Sequence, residues 1–205
     1  MSTRRIRDFL TGSGVWYSIA THPSACTAQA AAKASHIPGR YMAKNVIVWI
    51  DGQLAMAVVP ATMDLNLPAL RAQTGAGEVR LADEFEFITA FADCQLGSVP
   101  PFGNLFGVKT YVDIKLAMQE QIAFNAGTRT DIVRMSFADY CRLAKPLIVQ
   151  IAMEAPPETR SRTRIAREQV KRSPRISYLR NAEDQGSDHD QVQCSCESIH
   201  HLGAD

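Results

Sequence analysis

Apolar and polar positions along this chain alternate in short blocks whose spacing predicts interleaved strands and helices. Val15 to Ala20 is rich in aromatic and β-branched residues, as a strand requires, and Thr27 then stands where a cap would open a helix over Gln29 to Ala34. The segment His36-Ile37-Pro38-Gly39 ends that helix. Tyr41 to Ile50 and Leu54 to Val59 form two strand runs, joined by Asp51-Gly52, a dipeptide suited to the positive φ angles of a two-residue hairpin turn. Between Asn66 and Gly75, Pro68 suits a first helical turn and Gly75 the position just past the last one. A short helix is expected at Asp83 to Phe91, and strands at Val108 to Ile114, Ile122 to Asn125 and Thr130 to Met135. Ser136-Phe137-Ala138-Asp139 resembles a capping box and opens a helix that Pro146 stops. A short basic helix containing Arg4 and Arg5 precedes the first strand. This order, with one clear antiparallel hairpin, predicts an α+β fold with a mixed sheet rather than a purely parallel doubly wound one.

Composition narrows the classes of function. The 205 residues carry 22 Lys and Arg against 21 Asp and Glu, a formal net charge of +1, so the chain does not coat polyanions through a large positive field. Any nucleic-acid contact must be local. The apolar stretch from Asn45 to Pro60 is interrupted by Asp51, Gly52 and Gln53, and no run of about 18 apolar residues suggests a membrane span. Five cysteines, Cys26, Cys94, Cys141, Cys194 and Cys196, lack the paired spacing of a disulfide scaffold and favour a reduced cytoplasm. Arg4-Arg5 is followed by too short an apolar stretch to read as an export signal. After Ala155 the composition changes: Glu158 to Arg180 holds eight basic and two acidic residues, a net +6, with few large apolar side chains. Residues 1–155 are therefore expected to form the domain, and 156–205 a flexible tail, basic and then acidic.

The densest chemical signal is Gly97-Ser98-Val99-Pro100-Pro101-Phe102-Gly103. Its prolines remove two amide donors and stiffen the loop, while its glycines admit close approach of a ligand. The amides of Gly97, Ser98 and Val99 remain as donors to an oxygen that becomes negative in acyl transfer; a rigid surface turn is the alternative. Lys44 shares one face of its strand with Met42, Val46, Val48 and Ile50, while Ala43, Asn45, Ile47 and Trp49 share the other. A lysine ending such an apolar row either snorkels to solvent or points into a polar cleft. His22 and the other histidines, His36, His189, His200 and His201, form no convincing ligand set, and Cys194, Cys196, His200 and His201 lack a second cysteine pair, so no metal is expected. Cys94 with His22 as its base is a distant alternative nucleophile.

The ordered combination of Lys44 in Met42-Ala43-Lys44-Asn45-Val46-Ile47-Val48, Asp64-Leu65-Asn66-Leu67, the Gly97 to Gly103 loop and Asn125-Ala126-Gly127 resembles the YbaK family, the editing domain associated with prolyl-tRNA synthetase and its free-standing relatives. The resemblance runs from about Val15 to Pro146. It implies a mixed, strongly twisted, barrel-like sheet flanked by helices, and hydrolysis of the ester joining a wrong amino acid to the 3′ end of a tRNA. The family's lysine matches Lys44, and its Gly-x-x-x-Pro loop matches Gly97 and Pro101. The resemblance thus implies a catalytic set of Lys44, Gly97 and Ser98, and a substrate-binding set of His22, Pro101, Phe102, Gly103, Asn125 and Gly127. Relatives often carry tyrosine where His22 stands and serine where Asn125 stands, and some place histidine near Arg129. An aminoacyl ester is already activated, so positioning, a water molecule and oxyanion donors suffice, without metal, cofactor or covalent intermediate. Lys44 would meet a phosphate, ribose or carbonyl oxygen of the terminal nucleotide, since it would repel the substrate's α-ammonium. Expected partners are the acceptor end of a mischarged tRNA and, transiently, a synthetase. Alanyl, cysteinyl, seryl and threonyl esters all remain open as substrates. A non-catalytic tRNA-end or protein-binding module of the same fold is the alternative.

Overall fold

A computed structural model describes residues 3–155, all within the first of the chain's two units, Met1–Thr159. The tail expected at 156–205, with Cys194, Cys196, His200 and His201, lies outside the described residues.

The chain opens with helix α1 (Thr3–Gly12), which buries Ile6 and Leu10, one turn apart on a single face. Strand β1 (Tyr17–Thr21) follows, and then α2 (Ala28–Ala34), capped by the Thr27 side chain accepting from the Ala30 amide at 3.1 Å. The expected hairpin is β2 (Ala43–Ile50) and β3 (Gln53–Pro60), turned by Asp51 at φ 47° and Gly52 at φ 75°. A short β4 (Met63–Leu65) leads into α3 (Leu67–Thr74), which Asn66 caps and Gly75 ends in the left-handed region. β5 (Val79–Leu81) and α4 (Glu84–Phe87) come next; regular helix ends at Phe87 rather than at the expected Phe91. A 3-10 turn (Gly103–Phe106) leads to β6 (Lys109–Asp113). That strand stops one residue short of Ile114 because Asp113 turns to cap α5 (Ile114–Ala117), accepting from the Lys115 amide at 2.8 Å. Antiparallel β7 (Gln121–Asn125) and β8 (Asp131–Ser136) precede α6 (Phe137–Ala144), capped by Ser136 as expected. The chain then forms β9 (Leu147–Val149) and β10 (Ala152–Glu154).

The strands form a mixed five-stranded sheet in the order β5-β2-β3-β6-β9, an antiparallel sheet β1-β8-β7, and a ribbon β10-β4. The α+β class and the mixed sheet flanked by helices are as expected. The five-stranded and three-stranded sheets meet at a parallel bridge, Met42 with Ala123, where the Ala123 amide donates to the Tyr41 carbonyl at 2.8 Å. Strand β2 separates two apolar layers. Ala43 and Ile47 face the main core, while Val48, with Val46 and Ile50, faces a second layer containing Leu70 and Ile151. At the centre of the main core the Phe102 ring meets the rings of Phe9, Phe124 and Tyr140 edge-on at 5.6, 5.5 and 5.3 Å.

Candidate active site around the Gly97 loop

The loop begins with a tight turn. The Ser98 amide donates to the Gln95 carbonyl at 2.9 Å, and Gly97 occupies its third position at φ 77°, the left-handed conformation that a type II turn demands. This hydrogen bond consumes the Ser98 amide, so the expectation of three available donors is corrected to two. The amides of Gly97 and Val99 meet no acceptor among the described residues.

Three successive carbonyls of the loop are tied down from outside it. Gly97 O accepts from Asn125 Nδ2 at 3.3 Å, Ser98 O from the Gly127 amide at 2.9 Å, and Val99 O from Asn45 Nδ2. Asn125 reaches the loop because it ends β7, and Asn45 because the period of two sends it to the core face of β2 beside Ala43 and Ile47. The loop is also fastened to the β7–β8 connection: the Gln95 amide donates to Gly127 O at 3.0 Å, the Arg129 amide to Gln95 Oε1 at 2.7 Å, and Arg129 Nε to Leu96 O at 3.2 Å. Arg129 thus works as a fastener between the loop and this connection.

His22 sits immediately after β1 and is 5% exposed. Its amide donates to Thr130 O at 2.8 Å, and the Ala25 amide donates to Arg129 O at 3.1 Å, so the 22–26 segment lies along the same connection. A carbon placed as a side chain on Gly97 would stand 3.5 Å from the Cys26 carbonyl oxygen, which brings this segment against the turn. Behind it, Asp131 collects the hydroxyls of Thr3, Thr21, Thr128 and Thr130 at 2.9, 3.1, 2.7 and 3.3 Å. Burial pushes its carboxyl upward, but the four hydroxyls outweigh that and hold it below the usual aspartate range.

The second half of the loop is scaffold. Pro101 and Gly103 are buried and Phe102 is wholly so, its ring closed in by three aromatic neighbours. Pro101 O accepts from the buried Tyr140 hydroxyl at 2.8 Å, and the Gly103 amide donates to Thr110 Oγ1 at 3.1 Å. Burial pushes the Tyr140 phenol far up, which keeps it a donor. Phe102 and Gly103, expected to bind substrate, are both buried, and the partners given for them here lie in the core and at Thr110. Gly97, by contrast, is exposed, and Ser98 beneath it is fully buried.

Hydrogen bonds therefore join Gly97, Ser98, Asn125 and Gly127 in one place, with His22 alongside, and add Asn45, Gln95 and Arg129, which sequence reasoning did not place in the site. Lys44 stands apart. Its Nζ makes an ion pair with Asp64 Oδ1 at 2.7 Å on the face of β2 opposite Asn45. Cys94 is half-buried, and burial pushes its thiol up, away from the thiolate a nucleophile needs. Among the described residues no group of three His, Cys, Asp or Glu side chains is placed to hold a metal ion, and no helix is long and apolar enough to cross a membrane.

Comparison with known proteins places the chain in a family. The chain is 26% identical over 157 residues to the multifunctional Ser/Thr-tRNA deacylase ProXp-y of Escherichia coli (strain K12), a match that covers 74% of this chain and 93% of that protein. Its fold matches a solved structure described as a candidate trans-editing enzyme for prolyl tRNA synthetase, with a TM-score of 0.66 and 20% identity over 74% of this chain and 97% of that one. A hypothetical protein of solved structure matches equally well, with a TM-score of 0.66 and 18% identity over 73% of this chain and 99% of its own. The profile of the aminoacyl-tRNA editing domain matches residues 22–143, which span the His22 segment, the Gly97 loop and the β7–β8 connection, and on that match the chain belongs to the aminoacyl-tRNA editing domain family.

Proposed function

We propose that the protein is a trans-editing hydrolase that deacylates mischarged aminoacyl-tRNA in the cytoplasm. The observation that carries this reading is the pinned loop: with the carbonyls of residues 97, 98 and 99 held by Asn125, Gly127 and Asn45, the Gly97 and Val99 amides are left as donors in a fixed frame. Donors that need no reorganisation stabilise the negative oxygen of a tetrahedral intermediate far better than mobile water does. In the proposed step a water oxygen adds to the ester carbonyl carbon. The bond from that carbon to the ribose oxygen then breaks, and the water's proton passes to the departing ribose oxygen. The products are a free amino acid and an uncharged tRNA end. No side chain forms a bond to the substrate, in keeping with a Cys94 thiol that burial keeps protonated.

Lys44, oriented by Asp64, would hold a ribose or phosphate oxygen of the terminal nucleotide as the acceptor end crosses the start of β2. The relative's description as a Ser/Thr-tRNA deacylase makes seryl and threonyl esters the first substrates to try. The test is a deacylation assay over seryl-, threonyl-, alanyl- and cysteinyl-tRNA. Turnover of any of them supports the proposal. Binding of the acceptor end without turnover of any ester replaces it with a non-catalytic binding module.

A further inference from the structure

The unsatisfied polar atoms of the site share one chemical character. Asn45 and Asn125 each give Nδ2 to a loop carbonyl, which can only accept, so the side-chain atoms left over are the two Oδ1 oxygens, both buried and without a hydrogen-bond partner among the described residues. His22 is fixed by the same logic. Its Nδ1 lies 2.7 Å from the Pro23 carbonyl oxygen and must carry the proton, so in the neutral ring the buried, unpartnered Nε2 offers a lone pair. Ser98 Oγ, also buried and unpartnered, can donate or accept. Three of the four orphaned atoms around the loop are thus obligate acceptors, and buried acceptors left unpaired are costly. The complementary ligand is rich in donors.

We infer that this acceptor set recognises the free α-ammonium of the aminoacyl group, so that the site takes aminoacyl esters and refuses N-acylated ones such as peptidyl or formylated esters. The inference rests on the deacylase reading and adds the part of the substrate that is read. An α-ammonium brings three N–H donors for His22 Nε2, Asn45 Oδ1 and Asn125 Oδ1, whereas an N-acyl group replaces it with one donor, no charge and added bulk. The arrangement also gives a reason for the place of Lys44: its cation is held by Asp64 on the other face of β2, away from a second positive charge.

The test compares two non-hydrolysable probes on the full chain: 3′-alanylamido-3′-deoxyadenosine and its N-acetyl derivative, titrated by calorimetry or NMR. The alanyl side chain has no donor, so acetylation changes only the amine. The free amine should bind about 10- to 100-fold more tightly, the range set by charged hydrogen bonds, and His22→Phe should narrow that ratio. Equal affinities, a preference for the acetylated probe, or failure of both to bind overturns the inference. Hydrolysis of aminoacyl-tRNA and N-acetyl-aminoacyl-tRNA at equal rates also overturns it while leaving the deacylase reading standing. An absence of turnover beside a clear preference for the free amine upholds the inference and removes only the hydrolytic step.

Discussion

Replacing Gly103 with alanine separates scaffold from substrate contact in the second half of the loop. A Cβ at this position would stand 2.3 Å from Thr110 Oγ1, 2.5 Å from the Val108 carbonyl oxygen and 3.0 Å from Val108 Cγ2. Ordinary carbon–oxygen contacts lie at about 3.3 Å or more, so the oxygens must retreat by most of an ångström. Thr110 can rotate away, but the Gly103 amide then loses its 3.1 Å acceptor, and an unpaired buried donor costs about 1–3 kcal/mol. The Val108 carbonyl belongs to the backbone that enters β6, and its residue is already tied to Gly103 O through a 2.9 Å hydrogen bond. Overpacking there adds about 1–3 kcal/mol, against which alanine recovers about 0.4–1 kcal/mol by stiffening the unfolded chain. The net expectation is a loss of about 2–4 kcal/mol, or roughly 4–16 °C in melting temperature for a domain of this size. Urea and thermal melts measure the loss, and deacylation well below the transition measures function. Catalysis per folded molecule should stay near wild type. A variant within about 0.5 kcal/mol of wild type, or a stable one with a tenfold higher KM, would refute the assignment of Gly103 to the scaffold.

Gly97→Ala should behave in the opposite way: the methyl meets only the Cys26 carbonyl at 3.5 Å, so stability falls by the roughly 1–2 kcal/mol of a left-handed alanine, while turnover drops at least tenfold because the methyl crowds the acyl group. Unchanged kinetics would mean the loop is only a turn. Lys44→Ala should abolish most deacylation and cost about 0–1 kcal/mol of stability, since its ion pair with Asp64 is partly exposed; a folded, fully active variant removes Lys44 from the mechanism. Because the folded-state pKa of Asp131 lies below its unfolded value, its ionised form stabilises the fold fully above about pH 4, and this contribution is lost as pH falls through the lower folded value. Asp131→Asn should therefore lower the urea midpoint at pH 7, with the gap closing below pH 4; a gap constant from pH 7 to pH 2 contradicts the reasoning.

Long, patterned elements were legible in the sequence, because their signals are local. Asp51-Gly52, Asn66 with Pro68 and Gly75, and Ser136 all act within a few residues of where they stand. The three-residue strands β4, β5, β9 and β10 were not, since three residues carry no periodicity and exist only through partners such as Met153 opposite Asp64. Asp113 illustrates the same limit: it ends β6, caps α5 and accepts the amides of Ile151 and Ala152 at 2.7 and 2.6 Å, a junction that only the folded chain assembles. In the site, glycine and proline exposed the loop, but its clamps were hidden. Asn45 had one signal, an amide on a face otherwise made of Ala43, Ile47 and Trp49. The Asp64 partner of Lys44 is brought close only by the β3–β4 turn-back.

The hairpin turn at Asp51-Gly52 lies about 20 Å along β2 from Asn45, yet it governs which face of the strand Asn45 and Lys44 occupy. Every pair from Ile50 with Gln53 to Ala43 with Pro60 is in one unbroken register. A slip of a single residue in β2 would turn Asn45 toward the Asp64 side and Lys44 into the core, exchanging a neutral clamp for a cation beside the loop. A change of one residue in the length of this distant, solvent-exposed turn would therefore act, through the register, on both the Asn45 clamp and the Lys44–Asp64 pair.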